Sequence, residues 1–357
     1  MSAGQPTSAA GEERSALLAA AQRGDEGAFE RLIGPYRGEL HAHCYRMLGS
    51  FHDAEDAMQE VMLRAWRGLA RFEGRSSLRS WLYRIATNSS LRLIERRPKR
   101  VLPIDHGPAA DPHDGPGTPL VETTWVEPYP DERLEVADAA ASPEARYEER
   151  ESVELAFTAA LQHLPPLQRA ALLMTDVLGF APGEVAEILE TSPAAVYSAL
   201  QRARKAADER LPAENQQQTL RSLGDDRIRE VVGRFVAAWE GTDVDAIRTI
   251  LTEDAVLAMP PWPQWFRGPA AIGDFLARWP LSGRSHWKLT PVRASGQVAL
   301  ASYALDEAKG VPEAEGLVVL TLSADGRISE INAFRDPSLF PGFGLPRAMD
   351  GEGSPGL

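Results

Sequence analysis

Residues 101–145 limit what this chain can fold into more than any other stretch, because they divide it. The segment holds eight prolines and ten acidic residues against one basic residue, Arg133. Proline has no backbone N–H for a helix or a central strand, and like charges repel one another. The composition therefore predicts an acidic, extended linker without a packed core, with separately folded units on both sides.

A length of 357 residues also favours several domains. We expect, in order along the chain, a disordered or short helical N-terminus, a first helical domain, the acidic linker, a second helical domain, a shorter linker, and an α+β domain with a C-terminal tail. Their ranges are 1–25, 26–100, 101–145, 146–212, 213–224 and 225–346.

The composition argues against several kinds of protein. The single cysteine, Cys44, leaves no intramolecular disulfide and is typical of a reducing compartment. The sequence shows no signal-peptide pattern and no run of about 18 apolar residues, so we expect a cytoplasmic protein that does not enter a membrane. A net charge of −13 argues against a surface that binds nucleic acid everywhere, but it allows one basic patch.

Such a patch lies in residues 75–100, which carry eight Arg or Lys and one acid. The apolar residues that recur there at helical spacing and define a buried face are Leu78, Trp81, Leu82, Ile85, Ala86 and Leu93. Arg84, Asn88 and Arg92 step by four along another face. Cations for phosphate, an amide for base edges and an aromatic ring for stacking suit a nucleic-acid strand. The alternative is a solvated basic face with Trp81 in the core.

The preceding helix favours the nucleic-acid interpretation. "DAEDAMQEVMLRAW", residues 53–66, and "WLYRIATN", residues 81–88, resemble the second conserved region of bacterial extracytoplasmic-function sigma factors. The resemblance implies that the first helix docks on the clamp helices of the RNA polymerase β′ subunit, and that the helix over 75–97 reads and opens the minus-ten promoter element.

Two sets of site residues are implied by that resemblance. The polymerase contacts are Asp53, Glu55, Asp56, Gln59, Glu60 and Arg64. The minus-ten contacts are Arg79, Trp81, Arg84, Asn88, Arg92, Arg96 and Arg97. A metal site at "HAHC", residues 41–44, is not expected, because His41, His43 and Cys44 do not share one helix face.

Residues 164–206 carry a helix-turn-helix pattern. A helix opens at Pro165 and Pro166, "LGF" at 178–180 breaks it, and a second helix runs over 182–190. Ser192 then caps a third helix, with proline at its first position. Glu190 stands where glycine is common, so we expect a slightly different turn geometry. A helical hairpin used only for packing is the alternative.

The third helix is the predicted DNA-reading element, because its N-terminal half suits base edges and its later cations suit phosphate. "SPAAVYSALQRAR" resembles the fourth sigma region, which reads the minus-thirty-five element, and the resemblance implies the polymerase β flap as a partner. The predicted contacts are Ser192, Ala194, Tyr197, Ser198, Gln201, Arg202, Arg204 and Lys205.

The last domain has a different pattern. Residues 226–279 predict helix, short helix, strand, proline-rich loop and helix. Antiparallel strands are expected over 286–294, 297–305, 316–323 and 327–335. The resulting cone-shaped α+β fold is similar to SnoaL-like domains of the nuclear-transport-factor-like superfamily. The linker motif "WVEPYPD", residues 125–131, resembles one in sigma factors that carry such a domain.

An open cone can hold a pocket, and the candidate lining residues are Met259, Trp262, Trp265, Phe266 and Trp279. The alternative is that these side chains fill the core. Asp254, His286 and Asp336 are titratable, but no arrangement of nucleophile, base and orienting group is visible. We expect no catalytic residue, no cofactor and no metal, and an unidentified small ligand stays open.

The sequence as a whole predicts two all-α domains followed by a SnoaL-like α+β domain that regulates them in cis. The predicted protein is a sigma factor whose partners are core RNA polymerase and promoter DNA. One alternative is a helix-turn-helix regulator that does not dock on polymerase. Another is a bifunctional protein whose last domain is a small-molecule enzyme or sensor.

Overall fold

The computed structural model describes residues 7–120, 125–135, 152–212, 214–283, 285–306 and 311–349. Its helices are α1 Thr7–Gln22, α2 Glu26–Ile33, α3 Arg37–Leu48, α4 Phe51–Leu69, α5 Leu78–Arg96, α6 Pro103–His106, α7 Glu132–Glu135, α8 Leu155–Gln162, α9 Pro166–Leu172, α10 Pro182–Ile188, α11 Pro193–Asp208, α12 Gln216–Glu240, α13 Val244–Thr249 and α14 Pro269–Arg278. No helix in these ranges is both long enough and apolar enough to cross a membrane.

Short polar side chains fix where the main helices begin. The Ser50 hydroxyl accepts a hydrogen bond from the backbone N–H of Asp53 at 3.0 Å, and Ser77 does the same for Ser80. These contacts satisfy N–H groups that the first turn of a helix leaves unpaired. They fix the residues at which α4 and α5 begin, and the apolar faces of both helices pack against α3.

The two helical domains share one hydrophobic core. It runs from Ala21 in α1 to Ala203 in α11 without a break between the domains. Tyr83 of α5 meets the ring of Phe180 edge-on, with 5.2 Å between ring centroids. The two domains are therefore packed together and are not the loosely tethered units that an extended linker predicts.

Glu190 adopts a left-handed backbone conformation, with φ of 53°. Glu190 thus takes the left-handed conformation that glycine usually supplies in this turn. A non-glycine residue bears the steric cost of this conformation. Ser192 caps α11 as predicted, by accepting from the N–H of Ala195 at 3.2 Å.

The C-terminal domain is a six-stranded sheet covered on one face by α12, α13 and α14. Its strands are β1 Leu251–Ala258, β2 Trp265–Arg267, β3 His286–Ala294, β4 Gln297–Asp306, β5 Val311–Leu322 and β6 Ile328–Phe334, in the order β2-β1-β6-β5-β4-β3. All neighbours are antiparallel except β1 and β6, which run parallel. The helix-covered face holds Leu300 and Val318, and alternation along the strands sends Ala301 and Val319 to the other face.

That other face of the sheet is also buried. The residues that cover it come from the linker, from α8 and from the 3₁₀ segment Pro337–Phe343 of the tail: Leu102, Val126, Leu155, Ala159, Leu339, Phe340 and Phe343. The expectation of an extended linker is therefore wrong for 101–120 and 125–135. Proline and acidic residues do not prevent packing when a preformed apolar sheet face supplies the partner. The remaining linker residues lie outside the described ranges.

The second predicted linker, 213–224, is mostly helical. α12 begins at Gln216 and kinks at Gly224, whose φ of 74° and ψ of 160° interrupt the helix. The Gln216 side-chain amide donates to the carbonyl of Leu322 at 2.9 Å, and its backbone N–H donates to Glu154. Buried glutamines thus fix this segment to the sheet.

Candidate polymerase and promoter interfaces

One face of α4 is available to a partner. Asp56, Gln59 and Glu60 are exposed, and Leu63 lies on the same stripe with 51% of its surface exposed. The spacing of three, four and seven residues puts all four side chains on one side of the helix. Leu63 is missing from the predicted contacts, although an apolar residue within an otherwise polar stripe could have indicated it.

Three other predicted polymerase contacts are engaged within the chain. Asp53 is 3% exposed and accepts hydrogen bonds from Arg100, with Nε at 3.2 Å. Glu55 lies 3.0 Å from His41 and 3.3 Å from Arg133, and the hydrogen bond from His41 lowers the pKa of its carboxyl. Asp53 is thus an interior residue, contrary to a role as a direct surface contact.

Arg64 is half-buried and pairs with Glu60, one turn earlier in α4. This pair is an ordinary helix-surface contact of residues four apart, which stabilises a helix by a few tenths of a kcal/mol, roughly. Glu60 stays exposed in this pair and remains part of the exposed stripe of α4.

The basic helix α5 faces the second helical domain. Arg84 lies 2.6 Å from the carboxylate of Glu190, in the turn before α11. Arg79 lies 3.2 Å from Glu39, and its guanidinium stacks over the Phe180 ring at 4.7 Å. Two predicted promoter contacts are therefore occupied by side chains of the same chain.

Carboxylates of the second domain surround this part of α5. Glu184 and Glu187 line a cleft of about 530 Å³ together with Arg75, Trp81 and Arg84. Trp81 is half-buried against Phe72, with 5.2 Å between ring centroids, so it is neither fully in the core nor free.

The remaining predicted contacts on α5 lie further along the helix. Arg92 and Arg96 are exposed, and Asn88 is half-buried. Arg97 follows the helix and pairs with Asp53 and, at 3.4 Å, with Asp56.

Helix α11 exposes the whole of its predicted set. The exposed residues are Ser192, Ala194, Tyr197, Ser198, Gln201, Arg202, Arg204 and Lys205. Within the described part of the chain, Arg204 is the one member of this set that forms an ion pair, with Asp176 at 2.6 Å. The surface combines an exposed aromatic ring, amide and hydroxyl groups and three cations.

The linker motif 125–131 joins the first domain to the C-terminal domain. Tyr129 is fully buried, its hydroxyl is 2.9 Å from His41 Nδ1, and its backbone N–H donates to Ser295. Asp131 accepts from the N–H of Gly296 at 2.7 Å. One short segment thus contacts α3 on one side and the β3–β4 turn on the other.

Glu127 in the same motif binds the start of α4. Its carboxylate accepts from the Ser50 hydroxyl at 2.8 Å and lies 3.0 Å from His52 Nδ1. Burial alone would raise the pKa of Glu127, but the hydrogen bond from His52 and the charge of Arg100 outweigh it and lower the pKa. The hydrogen bond with Glu127 raises the pKa of His52.

The C-terminal tail reaches the same place. Phe340 is fully buried and meets Tyr303 edge-on at 5.2 Å. Gly342 lies so close to Phe51 that a Cβ atom there would be 2.4 Å from the ring. The carbonyl of Ser338 is 3.4 Å from His52 Nε2. The tail therefore packs on its own domain and touches the first turn of α4.

The C-terminal cone encloses a cavity of about 360 Å³. Met259 and Trp279 line it as predicted, but Trp262, Trp265 and Phe266 are not among its lining residues. Phe266 is fully buried and stacks on Phe275 at 4.2 Å. The lining residues that the sequence did not indicate include Trp239, Trp287, Glu315 and Arg335.

The two other predicted pocket tryptophans hold the linker instead. Trp265 Nε1 donates to the carbonyl of Gly107 at 2.8 Å, and Trp262 Nε1 donates to that of Gly117 at 3.3 Å. Pro116, between these two points, lines the cavity. Residues 107–117, which we call the strap, therefore lie against the cavity.

The remaining polar candidates divide into buried, exposed and capping residues. His43 is fully buried and bonds Thr87 at 2.9 Å, and Cys44 is also buried, which raises the pKa of its thiol. Asp254 and His286 are exposed, and Asp336 caps the tail segment by accepting from Ser338.

Comparisons with known proteins give three matched regions. Sigma-70 region 2 matches residues 32–100, Sigma-70 region 4 matches 154–206, and the SnoaL-like domain matches 232–331. The chain is 43% identical over 333 residues to the ECF RNA polymerase sigma factor SigG of Mycobacterium tuberculosis, covering 90% of this chain and 85% of SigG.

Two further similarities agree with this. The ECF RNA polymerase sigma factor SigM of Mycobacterium tuberculosis is 32% identical over 188 residues, which is 53% of this chain and 79% of SigM. The crystal structure of the Mycobacterium tuberculosis extracytoplasmic function sigma factor SigJ superposes with a TM-score of 0.52 at 23% identity, covering 87% of this chain and 97% of SigJ. The likeness to SigJ concerns the fold alone.

Proposed function

The chain belongs to the extracytoplasmic-function RNA polymerase sigma factors and carries a SnoaL-like C-terminal domain, and from this premise we propose how its parts divide the work. Its relatives are sigma factors and not enzymes, and they imply interaction with core RNA polymerase and promoter DNA. They favour this function over a polymerase-independent regulator and over a fused enzyme.

For polymerase binding, α4 is the docking helix, on the clamp helices of the β′ subunit. The exposed stripe of Asp56, Gln59, Glu60 and Leu63 supports this proposal, because polar groups around one apolar side chain are typical of a protein interface. The second helical domain docks on the β flap while α11 faces DNA. These steps take place in the cytoplasm.

For promoter recognition, α11 reads the minus-thirty-five element and α5 reads and opens the minus-ten element. The exposure of every predicted contact on α11 supports its role. On α5, Asn88, Arg92 and Arg96 are accessible in the free protein, whereas Arg79 and Arg84 are held by intramolecular contacts.

One observation carries the proposal of control in cis: the carboxylates Glu184, Glu187 and Glu190 lie beside the cations of α5. They compete with DNA phosphate, so the free protein is a closed form that polymerase must open. The linker motif 125–131 and the sheet face opposite to α12–α14 support the same closed form, because both pack against the helical domains. The C-terminal domain therefore sets how readily the closed form opens.

The cone cavity adds a candidate sensor to this control. It is large enough for a small molecule and mostly apolar, with the Arg335–Glu315 ion pair in its lining. The strap connects the two sigma regions and also lies against the cavity. A ligand that displaces Pro116 would thus act on the connection between them.

Core binding is tested by titration of labelled protein with core polymerase. Asp56→Lys combined with Gln59→Ala should weaken binding about tenfold or more, since both side chains lie in the exposed stripe. Asp226→Lys makes the same charge change at a side chain 97% exposed in the C-terminal domain and should leave affinity unchanged. Equal affinity for the double variant and the wild type would refute docking through α4.

Control in cis is tested by transcription with two truncations at equal core occupancy. Ending the chain before Asp336 removes the tail that touches Phe51 and should raise activity. Ending it before Asp225 also removes the sheet that supports Tyr129 and should lower activity, because the linker and α8 lose the apolar sheet face on which they pack. Equal activity of all three proteins would leave the C-terminal domain without a regulatory role.

A further inference from the structure

A second cavity, of about 390 Å³, lies where the residues after α5 meet the start of the second helical domain. Its lining contains the permanent cations Arg97, Lys99, Arg100 and Arg169, and one carboxylate, Asp53. The protein as a whole carries a formal charge of −13. The lining residues therefore carry an excess of positive charge, whereas the protein as a whole is negative.

The single lining carboxylate is already shared. Asp53 is 3% exposed and accepts hydrogen bonds or ion pairs from both Arg97 and Arg100. Arg97 is also paired with Asp56 at 3.4 Å, and Arg100 receives additional compensation from Glu127 at 3.5 Å and from the carbonyl of Trp125. Asp53 therefore cannot also neutralise the charge on the opposite wall of the cavity.

Arg169 forms part of that wall. It is 4% exposed and donates to Gln162 Oε1 at 2.5 Å and to the carbonyls of Gln162 and Leu164 at 3.1 and 3.2 Å. Across the described ranges, no carboxylate lies within ion-pair distance of it, and its Nε has no hydrogen-bond partner. Burial lowers the pKa of Arg169 to about 10. Neutral acceptors solvate this charge but do not compensate it.

A further contact places two basic groups side by side. Lys99 Nζ lies 2.7 Å from His163 Nδ1, and Asp105 reaches the far ring nitrogen of His163 at 3.3 Å. Burial and the neighbouring cations lower the pKa of both Lys99 and His163. The two groups belong to different sigma regions, so the cavity spans their junction.

We propose that this junction cavity binds a small anion that carries more than one phosphate group. Several cations around one open cavity favour a multiply charged ligand over a single carboxylate, and the Arg169 Nε–H, which has no hydrogen-bond partner in the described ranges, can donate to a phosphate oxygen. The anion would bridge residues 97–100 and His163–Arg169, and would stabilise the closed form. Because polymerase must open that form, anion and polymerase would weaken each other's binding.

The test uses the full-length protein and inorganic triphosphate in isothermal titration at constant ionic strength. Triphosphate should bind at least several-fold more tightly than sulfate. Lys99→Met should weaken triphosphate binding about tenfold, because one charge-assisted contact is lost. Arg229→Met removes one cation from a side chain 74% exposed on α12, and its affinity should match the wild type.

Absence of triphosphate binding, or equal weakening by Lys99→Met and Arg229→Met, would overturn the proposal. His163→Gln provides a second variant if Lys99→Met changes the fold, and it should also weaken binding. A hexathymidylate that displaces triphosphate at equal phosphate concentration would assign the cavity to a DNA backbone instead. The measurement needs no polymerase, so its failure would leave the proposed sigma-factor function untouched.

Discussion

Helices α5 and α11 are both basic and both predicted to read DNA, yet the structure presents them differently. All eight predicted contacts on α11 are exposed. On α5, Arg84 is paired with Glu190, and Arg79 is paired with Glu39 and stacked on Phe180. The difference shows that the sequence of a helix determines which face is basic, whereas its neighbours determine whether that face is accessible.

The neighbours differ in charge. Among the residues that the structure describes, α11 has one acidic partner along its face, Asp176, while α5 lies beside Glu184, Glu187 and Glu190. A pair of opposite charges close to a protein surface is screened by water and salt, but three carboxylates beside one cationic face act together. The free protein should therefore meet an upstream element through α11 before α5 becomes available.

The largest effect should come from removing the contact that holds this arrangement. Tyr129→Ala deletes a fully buried ring between α3 and the β3–β4 turn and should lower the free energy of unfolding by about 3–5 kcal/mol. Hydrogen exchange should then accelerate more in α5 than in α11. Urea titration and exchange mass spectrometry measure the two effects.

The matched control is Tyr129→Phe. It keeps the ring and removes the hydroxyl that contacts His41, so it should cost about 1 kcal/mol. If hydrogen exchange in α5 and α11 accelerates equally in Tyr129→Ala, the protection of α5 does not depend on the Tyr129 contact. The proposed difference between the two helices would then be wrong.

The next effect concerns promoter opening. Asn88→Ala should reduce open-complex formation about tenfold and leave core binding unchanged, because capture of an unstacked base depends on side chains of this face. Asn88 is half-buried, so the substitution leaves no large cavity. Permanganate footprints detect the unpaired bases, and a footprint equal to wild type would remove Asn88 from the opening machinery.

Much of this contrast could be predicted, because it rests on local patterns. The periodicity around Leu82 and Ala86 indicated α5, and the capping residue Ser192 indicated the start of α11. Strand β3 was predicted with its observed ends, while β5 begins five residues earlier than expected, at Val311. Alternating apolar residues and turn signals are visible in the sequence over short distances.

The covering of α5 could not be predicted in the same way. Arg84 and Glu190 are 106 positions apart, and nothing in either segment specifies the other. Trp262 and Trp265 are predicted to line the pocket, but both donate to backbone carbonyls of the linker. A tryptophan suits a cavity wall and a backbone hydrogen bond equally well, so its residue type does not distinguish the two. Composition reports that a segment is rich in proline, but not whether an apolar sheet face elsewhere will bind it.

On the exposed helix, a smaller effect should separate phosphate contacts from base contacts. Arg204→Ala should lower the salt slope of DNA binding by about one and weaken binding on all sequences alike. Gln201→Ala should change sequence preference and leave the slope intact. Filter binding on a promoter library at several salt concentrations gives both quantities. A changed preference in Arg204→Ala with an intact slope would mean that α11 lies differently in the groove.

The smallest effect tests the first turn of α4, where linker and tail meet. The hydrogen bond with Glu127 raises the pKa of His52 above its ordinary value of 6.5. Because the pKa of His52 is higher in the folded protein, its protonated form stabilises the fold. This contribution is fully present below the ordinary pKa and is lost as the pH rises through the raised, folded-state pKa.

Since the His52 side chain is 43% exposed, the contribution should stay below about 1 kcal/mol. The midpoint of urea unfolding, measured from about one unit below the ordinary histidine pKa to about two units above it, should fall more in wild type than in His52→Gln. Glu127→Gln should flatten the profile similarly, because it removes the charge that raises the pKa. If the unfolding midpoint of both variants depends on pH as steeply as that of the wild type, the pH dependence arises elsewhere. The contact between His52 and Glu127 would then not contribute to the difference between the N-terminal helices and α11.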